Sequence, residues 1–203
     1  LPRITRAVRR RRGLLTVYVD GEYWKTLDAG AAEEHGILEG AELSTEELQR
    51  AGESAEYALA LRRAMDFLSY HTRSEGEVRA RLRRFGHAER AIERSVARLR
   101  ELDYLNDREF ARALVRRRAG EWGRRRLHAE LRKRGVPEET AAAAIEEQLG
   151  GRPELEDARN LAKNKYNTEE RSESQARRVY QFLARRGYSA EVCAAVAREY
   201  LSG

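Results

Sequence analysis

The chain has 203 residues, 36% of them charged and 41% hydrophobic, and a formal net charge of +6. That length admits one or two compact domains, and the balance suits small helical units with much solvated surface better than one thick core. The single cysteine, Cys193, excludes an intramolecular disulfide framework and points to a reducing compartment. No apolar run approaches the ~20 residues of a bilayer span, and no signal-peptide pattern opens the chain, so a cytoplasmic protein is expected.

In chain order, Leu14 to Val19 is rich in β-branched and aromatic residues and is followed by Asp20-Gly21 and then Glu22 to Leu27. An Asp-Gly pair between two such runs predicts a hairpin, because both residues tolerate positive φ. Ile4 to Val8 supplies a third strand, and on the second arm one of Tyr23 and Trp24 faces the core and the other solvent. Two short helices follow, over 29–35 and from Ser44, where Ser44 and Glu47 form a capping box. Gly52 reads as a boundary. Beyond it the pattern is helical, beginning with 54–72 and an apolar stripe of Tyr57, Leu61, Met65 and Leu68. Ser74 and Glu77 cap the next helix, with Val78, Leu82 and Phe85 as its stripe. Ile92, Val96 and Leu99 mark a third helix, and Asn106 or Asp107 caps a fourth bearing Phe110, Ala111, Leu114 and Val115. Leu127 and Leu131, then Ala141, Ile145 and Leu149 after Pro137, complete a second set of three. Pro153 opens a third set, carrying Leu161, then Val179, Phe182 and Leu183, then Val192, Val196 and Tyr200. Its first loop, 163–175, is long and polar, with Asn164, Asn167 and Ser172.

One phrase recurs: Leu82-Arg-Arg-Phe-Gly86, Leu131-Arg-Lys-Arg-Gly135 and Leu183-Ala-Arg-Arg-Gly187. Its recurrence about every fifty residues predicts stacked, similar helical units. The fold expected is mainly α: three tandem three-helix units in an elongated curved array, preceded by a small β-hairpin and helix domain. The expected bounds are 1–53, 54–105, 106–151 and 152–203.

Charge is uneven. Between Arg112 and Arg134 stand ten basic residues against two acidic ones, Glu121 and Glu130. With so few local carboxylates to pair with, Arg116, Arg117, Arg118, Arg124, Arg125, Arg126, Arg132, Lys133 and Arg134 are the candidate contacts to nucleic acid or to an acidic protein surface. Arg9, Arg10, Arg11 and Arg12 form a secondary basic cluster. Trp122, flanked by arginines, either anchors an interface or stacks on a base, or else packs in a helix corner under cation–π contacts. Reversing Arg124, Arg125 and Arg126 to glutamate is expected to weaken partner binding and leave stability nearly unchanged. The four scattered histidines, the lone cysteine and the absence of phosphate-binding glycine loops point away from an enzyme. No cofactor or metal is expected.

The run Glu101-Leu-Asp-Tyr-Leu-Asn-Asp-Arg-Glu-Phe-Ala111 resembles the RecX family of bacterial RecA regulators, as do Ser74-x-x-Glu77-Val78-x-x-Arg81-Leu82 and the Val17 to Tyr23 hairpin, in a longer form with an N-terminal extension. The resemblance implies a non-enzymatic regulator of recombination, DNA repair and the SOS response. Such a protein binds the RecA filament on single-stranded DNA, suppresses its ATPase, strand-exchange and coprotease activities, and also binds DNA. A monomer is expected. The alternative is an autonomous nucleic-acid-binding protein using the basic face of the second unit.

Overall fold

A computed structural model describes residues 1–166, 169 and 171–201. The chain divides into two compact units, Leu1–Leu105 and Asn106–Gly203.

The first unit opens with an antiparallel sheet of β1 (Ile4–Arg10), β2 (Leu14–Val19) and β3 (Glu22–Asp28), in that spatial order. The β2–β3 turn is built on Asp20 and Gly21, both at positive φ, as the Asp-Gly pair demands. Tyr23 is exposed, whereas Trp24 packs against the core formed by Ile4, Val17, Leu27 and Ile37. Asp28 caps α1 (Ala29–Glu34) by accepting from the Ala31 N–H. Ser44 and Glu47 form the expected capping box at the start of α2 (Thr45–Leu68).

The break expected at Gly52 is absent, since α2 runs unbroken through it. The reason is steric: a Cβ at Gly52 would lie 2.5 Å from the Trp24 ring, so glycine here permits close approach rather than ending a helix. Helix α2 serves two cores in succession. Ala51 and Ala55 pack into the sheet's core, whereas Ala60 and Ala64 pack with α3 (Glu75–Arg84) and α4 (Glu89–Glu101). The stripe expected on this helix is therefore displaced. Leu59, Ala60 and Ala64 are buried, while Met65 is exposed and Tyr57, Leu61 and Leu68 are half-buried. On α3, Val78 and Leu82 are buried as expected, but Phe85 lies at the surface with 45% exposure.

The second unit holds two three-helix sets. The first comprises α5 (Asp107–Arg118), α6 (Arg124–Lys133) and α7 (Glu138–Leu149). The second comprises α8 (Glu154–Lys163), α9 (Glu173–Arg186) and α10 (Ala190–Arg198). Asn106 caps α5 through the Glu109 N–H. Each set has its own core, one around Phe110, Leu127, Leu131 and Ile145, the other around Val179, Phe182, Leu183 and Val196. In the loop before α9, Ser172 caps the helix, and Asn167 lies outside the described residues.

The repeated Leu-x-x-x-Gly phrase is a Schellman turn in all three copies. Gly86, Gly135 and Gly187 take φ of 77°, 73° and 85°. The N–H of the next residue, His87, Val136 or Tyr188, donates to the carbonyl of Leu82, Leu131 or Leu183 at 3.3, 3.1 and 3.2 Å, and each glycine N–H donates one residue further on. All three leucines are fully buried, so the motif stops the helix and seats its last apolar residue at once.

Candidate interaction surface

The middle basic cluster lies on α5 and α6, and its members do two different jobs. Arg118 pairs with Glu121, Arg134 with Glu130, and Arg124 with Glu146 on α7 while also donating to the Leu149 carbonyl. Arg112 reaches Glu109 and Glu147, which hold its pKa above the ordinary arginine value. The scarcity of carboxylates near these arginines in sequence is thus offset by α7, which turns back beside α5 and α6. By contrast, Arg116, Arg117, Arg125, Arg132 and Lys133 are exposed and have no carboxylate within 4.0 Å among the described residues. Their positions follow from helix period: Leu127 and Leu131 face inward, which turns Arg125, Arg132 and Lys133 outward.

Trp122 is half-buried against the core of α5–α7. Its ring lies under the guanidinium groups of Arg118, at 4.7 Å, and Arg126, at 4.4 Å. Arg126 also donates to the Arg185 carbonyl. These contacts belong to a junction in which the start of α6 meets the end of α9. The Gly123 N–H donates to the Arg186 carbonyl at 2.8 Å and the Arg125 N–H to the Gly187 carbonyl at 3.2 Å. Unpaired N–H groups at one helix start thereby meet unpaired carbonyls at another helix end, with the two partial charges opposed. The Tyr188 hydroxyl adds a 2.8 Å hydrogen bond to the Gly120 carbonyl. Burial, with Asp157 nearby, pushes this phenol well above its ordinary pKa, so it stays a donor. The small cavity here, about 10 Å³, leaves room for no ligand larger than water.

In the first unit, Arg9 pairs with Glu33, whereas Arg10, Arg11 and Arg12 are exposed around the tight turn between β1 and β2. Burial and Glu154 raise the pKa of Cys193, which suits a packing thiol rather than a nucleophile. No group of three or more His, Cys, Asp or Glu that could hold a metal occurs among the described residues. No helix among them is long and apolar enough to cross a membrane.

A groove in the first unit escaped the sequence reading. It lies between the β1–β2 turn and the α2–α3 pair and brings together Arg12, Arg63, Phe67, Arg81 and Phe85. Its sequence signal was present but spaced: Arg63 with Phe67 and Arg81 with Phe85 are both i,i+4 pairs, one on each helix.

The fold and surface together define a helical-repeat protein, with three-helix units that share a common turn after the second helix and unpaired cations on the outer helix faces of the second unit. Models of the first, second and third three-helix domains of RecX match residues 60–99, 106–145 and 153–196. The regulatory protein RecX of Caldanaerobacter subterraneus subsp. tengcongensis is 30% identical over 190 residues, covering 93% of this chain and 94% of that protein. The regulatory protein RecX of Clostridium acetobutylicum is 26% identical over 205 residues, covering 97% and 94%. Against its Lactobacillus johnsonii counterpart the match is 32% over 139 residues, and the chain spans about half of that relative's length (51%). A solved structure described as the crystal structure of regulatory protein RecX has the same fold, with a TM-score of 0.63 and 22% identity over 98% of this chain and 100% of that one. The chain belongs to the RecX family.

Proposed function

We propose that this protein is a non-enzymatic, cytoplasmic regulator of the RecA recombinase in recombination, DNA repair and the SOS response. It binds the RecA filament on single-stranded DNA and suppresses its ATPase, strand-exchange and coprotease activities. The proposed organisation is an N-terminal domain over 1–53 and three-helix units over 54–105, 106–151 and 152–203. Membership of the RecX family supports the reading. The observation that carries it to particular residues is the set of unpaired cations Arg116, Arg117, Arg125, Arg132 and Lys133. Cations not paired within their own fold keep their Coulomb attraction for carboxylates or phosphates of a partner. In this proposal Arg118, Arg124, Arg126, Arg134 and Trp122 hold the surface in shape, and the exposed arginines at the β1–β2 turn give a secondary contact. RecA protomers repeat along a filament, so several modest contacts gain strength by avidity.

The test is single-stranded-DNA-dependent RecA ATPase against rising amounts of this protein, beside a direct DNA-binding titration. Inhibition well below one protein per RecA, where bare DNA is unsaturated, is the expected outcome. Inhibition that begins only when the DNA is coated would overturn the proposal and leave an autonomous DNA-binding protein, with affinity falling steeply as salt rises.

A further inference from the structure

The groove of the first unit has an open volume of about 680 Å³. Its floor is apolar, with Leu59 buried and Leu14 and Phe67 half-buried. Its rim is cationic. Arg62 is taken up by Asp28 and the Gly13 carbonyl. Arg12, Arg63 and Arg81 have no carboxylate within 4.0 Å among the described residues. A second hollow of about 340 Å³ shares Arg63 and Phe85 with the first and extends it toward Lys25 and His87. An apolar floor under a rim of arginines is the complement of a chain segment that carries carboxylates around a large apolar side chain.

The two phenylalanine rings among the arginines, together with the apolar floor, favour that segment over a nucleic acid. A nucleobase needs an open ring face on which to stack. Here the Phe85 ring carries the guanidinium groups of Arg63 at 4.5 Å and Arg81 at 4.8 Å, and the Phe67 ring carries those of Arg73 at 4.6 Å and Arg81 at 5.5 Å. Both phenylalanine rings are therefore engaged by cations, and Tyr70, exposed at the groove's edge, is the lining aromatic whose face is open. A guanidinium already held against a ring loses less freedom on meeting a carboxylate, which it can grip through two parallel hydrogen bonds. Arg63 is held further by His87, whose Nε2 lies 3.0 Å from the guanidinium.

We propose that this groove is a docking site for an acidic protein segment with a central aromatic or aliphatic anchor. The anchor side chain enters between Leu14, Leu59 and Phe67, and flanking carboxylates pair with Arg12, Arg63 and Arg81. Asp66, exposed on the same rim, opposes such a ligand by like charge. The site lies in the first unit and does not rest on the RecA reading.

The experiment is fluorescence anisotropy with the full chain and a labelled octapeptide of sequence Glu-Asp-Glu-Phe-Leu-Glu-Asp-Glu. The comparison probes are the same peptide with Ser-Ser at its centre and an oligothymidylate. The Phe-Leu peptide is expected to bind. Its affinity should fall on the order of 10-fold in Arg81→Glu and with the Ser-Ser core, and rise several-fold in Asp66→Asn. Melting curves establish that each variant folds. Asp66→Asn removes an exposed charge without touching the core, so it decides the matter if Arg81→Glu does not fold. Three results would each overturn the proposal: no peptide binding, peptide affinity indifferent to both variants, or oligothymidylate binding that depends on Arg81 while the peptide does not bind.

Discussion

Gly123→Ala separates two effects of opposite sign. At an unconstrained position, replacing glycine by alanine stabilises a protein by about 0.4–1 kcal/mol, because the unfolded chain loses freedom. Gly123 has φ −75° and ψ 166°, which alanine adopts without strain. A Cβ there, however, would lie 2.3 Å from the Gly187 carbonyl oxygen and 2.5 Å from the Tyr188 backbone nitrogen. Both obstacles are backbone, so the start of α6 must move away from the end of α9. That movement breaks the bonds from Gly123 to Arg186 and from Arg125 to Gly187, and it loosens the one from Tyr188 to Gly120. At roughly 0.5–1.5 kcal/mol each, the three are worth about 1.5–4.5 kcal/mol. The entropic gain offsets about 0.4–1 kcal/mol, which leaves a net destabilisation of about 0.5–4 kcal/mol. The control is Gly151→Ala, where nothing lies within 4 Å of the new Cβ, and a neutral to slightly stabilising change is expected. Urea denaturation of both variants measures the difference, and hydrogen exchange at the Arg125 and Tyr188 amides localises it. If Gly123→Ala proves as stable as Gly151→Ala, the junction is not holding these helices together.

Other perturbations separate the roles of neighbouring residues. Leu131→Ala removes a fully buried side chain at a Schellman turn and should cost about 2–5 kcal/mol by chemical denaturation. Reversing Arg116, Arg117, Arg132 and Lys133 to glutamate should weaken inhibition of RecA while leaving the melting temperature within a degree or two, roughly the effect of exposed charges. The reversal of Arg124, Arg125 and Arg126 should instead lower the melting temperature, since Arg124 ties α6 to α7 and Arg126 holds the junction with α9, and an unchanged melt would contradict that assignment. His87 titrates below its ordinary 6.5, because burial disfavours the charged ring and Arg63 adds to this, with Glu56 opposing. The unfolded chain therefore takes up this proton first as the pH falls. Stability from the neutral ring is complete above about pH 6.5 and is lost as the pH drops through the depressed folded value. Melting temperatures between pH 7.5 and 5 should fall less in His87→Gln than in the parent, and parallel slopes would refute the assignment.

What was legible in the sequence is what a few consecutive residues decide among themselves. The Asp20-Gly21 turn, the capping boxes at Ser44 and Ser74 and the three leucine–glycine helix ends are closed by hydrogen bonds spanning three to five residues, so their chemistry is written locally. Helix α2 was misread because its apolar residues answer to two cores; Ala55 and Ala60 are both fully buried although they point to different partners. A single stripe is the wrong template for such a helix. The basic cluster was located but not sorted. Arg112 has Glu109 beside it on α5, but its second carboxylate and the one that quietens Arg124 sit on α7, 35 and 22 residues further along, beyond any local count. The groove was missed for a related reason: Phe85 fits the apolar period of α3 as well as Val78 and Leu82 do. Only the path of the β1–β2 turn and α2 shows that its ring faces arginines instead of the core.

The continuity of α2 has a consequence for how chains of this kind can change length. Successive residues on an α-helix are turned by about 100°. One residue added or lost between Ala55 and Leu59 would therefore swing Ala60 and Ala64 away from α3 and α4 if Ala51 and Ala55 kept their seats on the sheet. The helix works as a phase key between the sheet and the first three-helix set. Length variation there is tolerable only in whole-turn steps of three or four residues, so the N-terminal sheet is geared to the first three-helix set and does not hang from it as a free appendage.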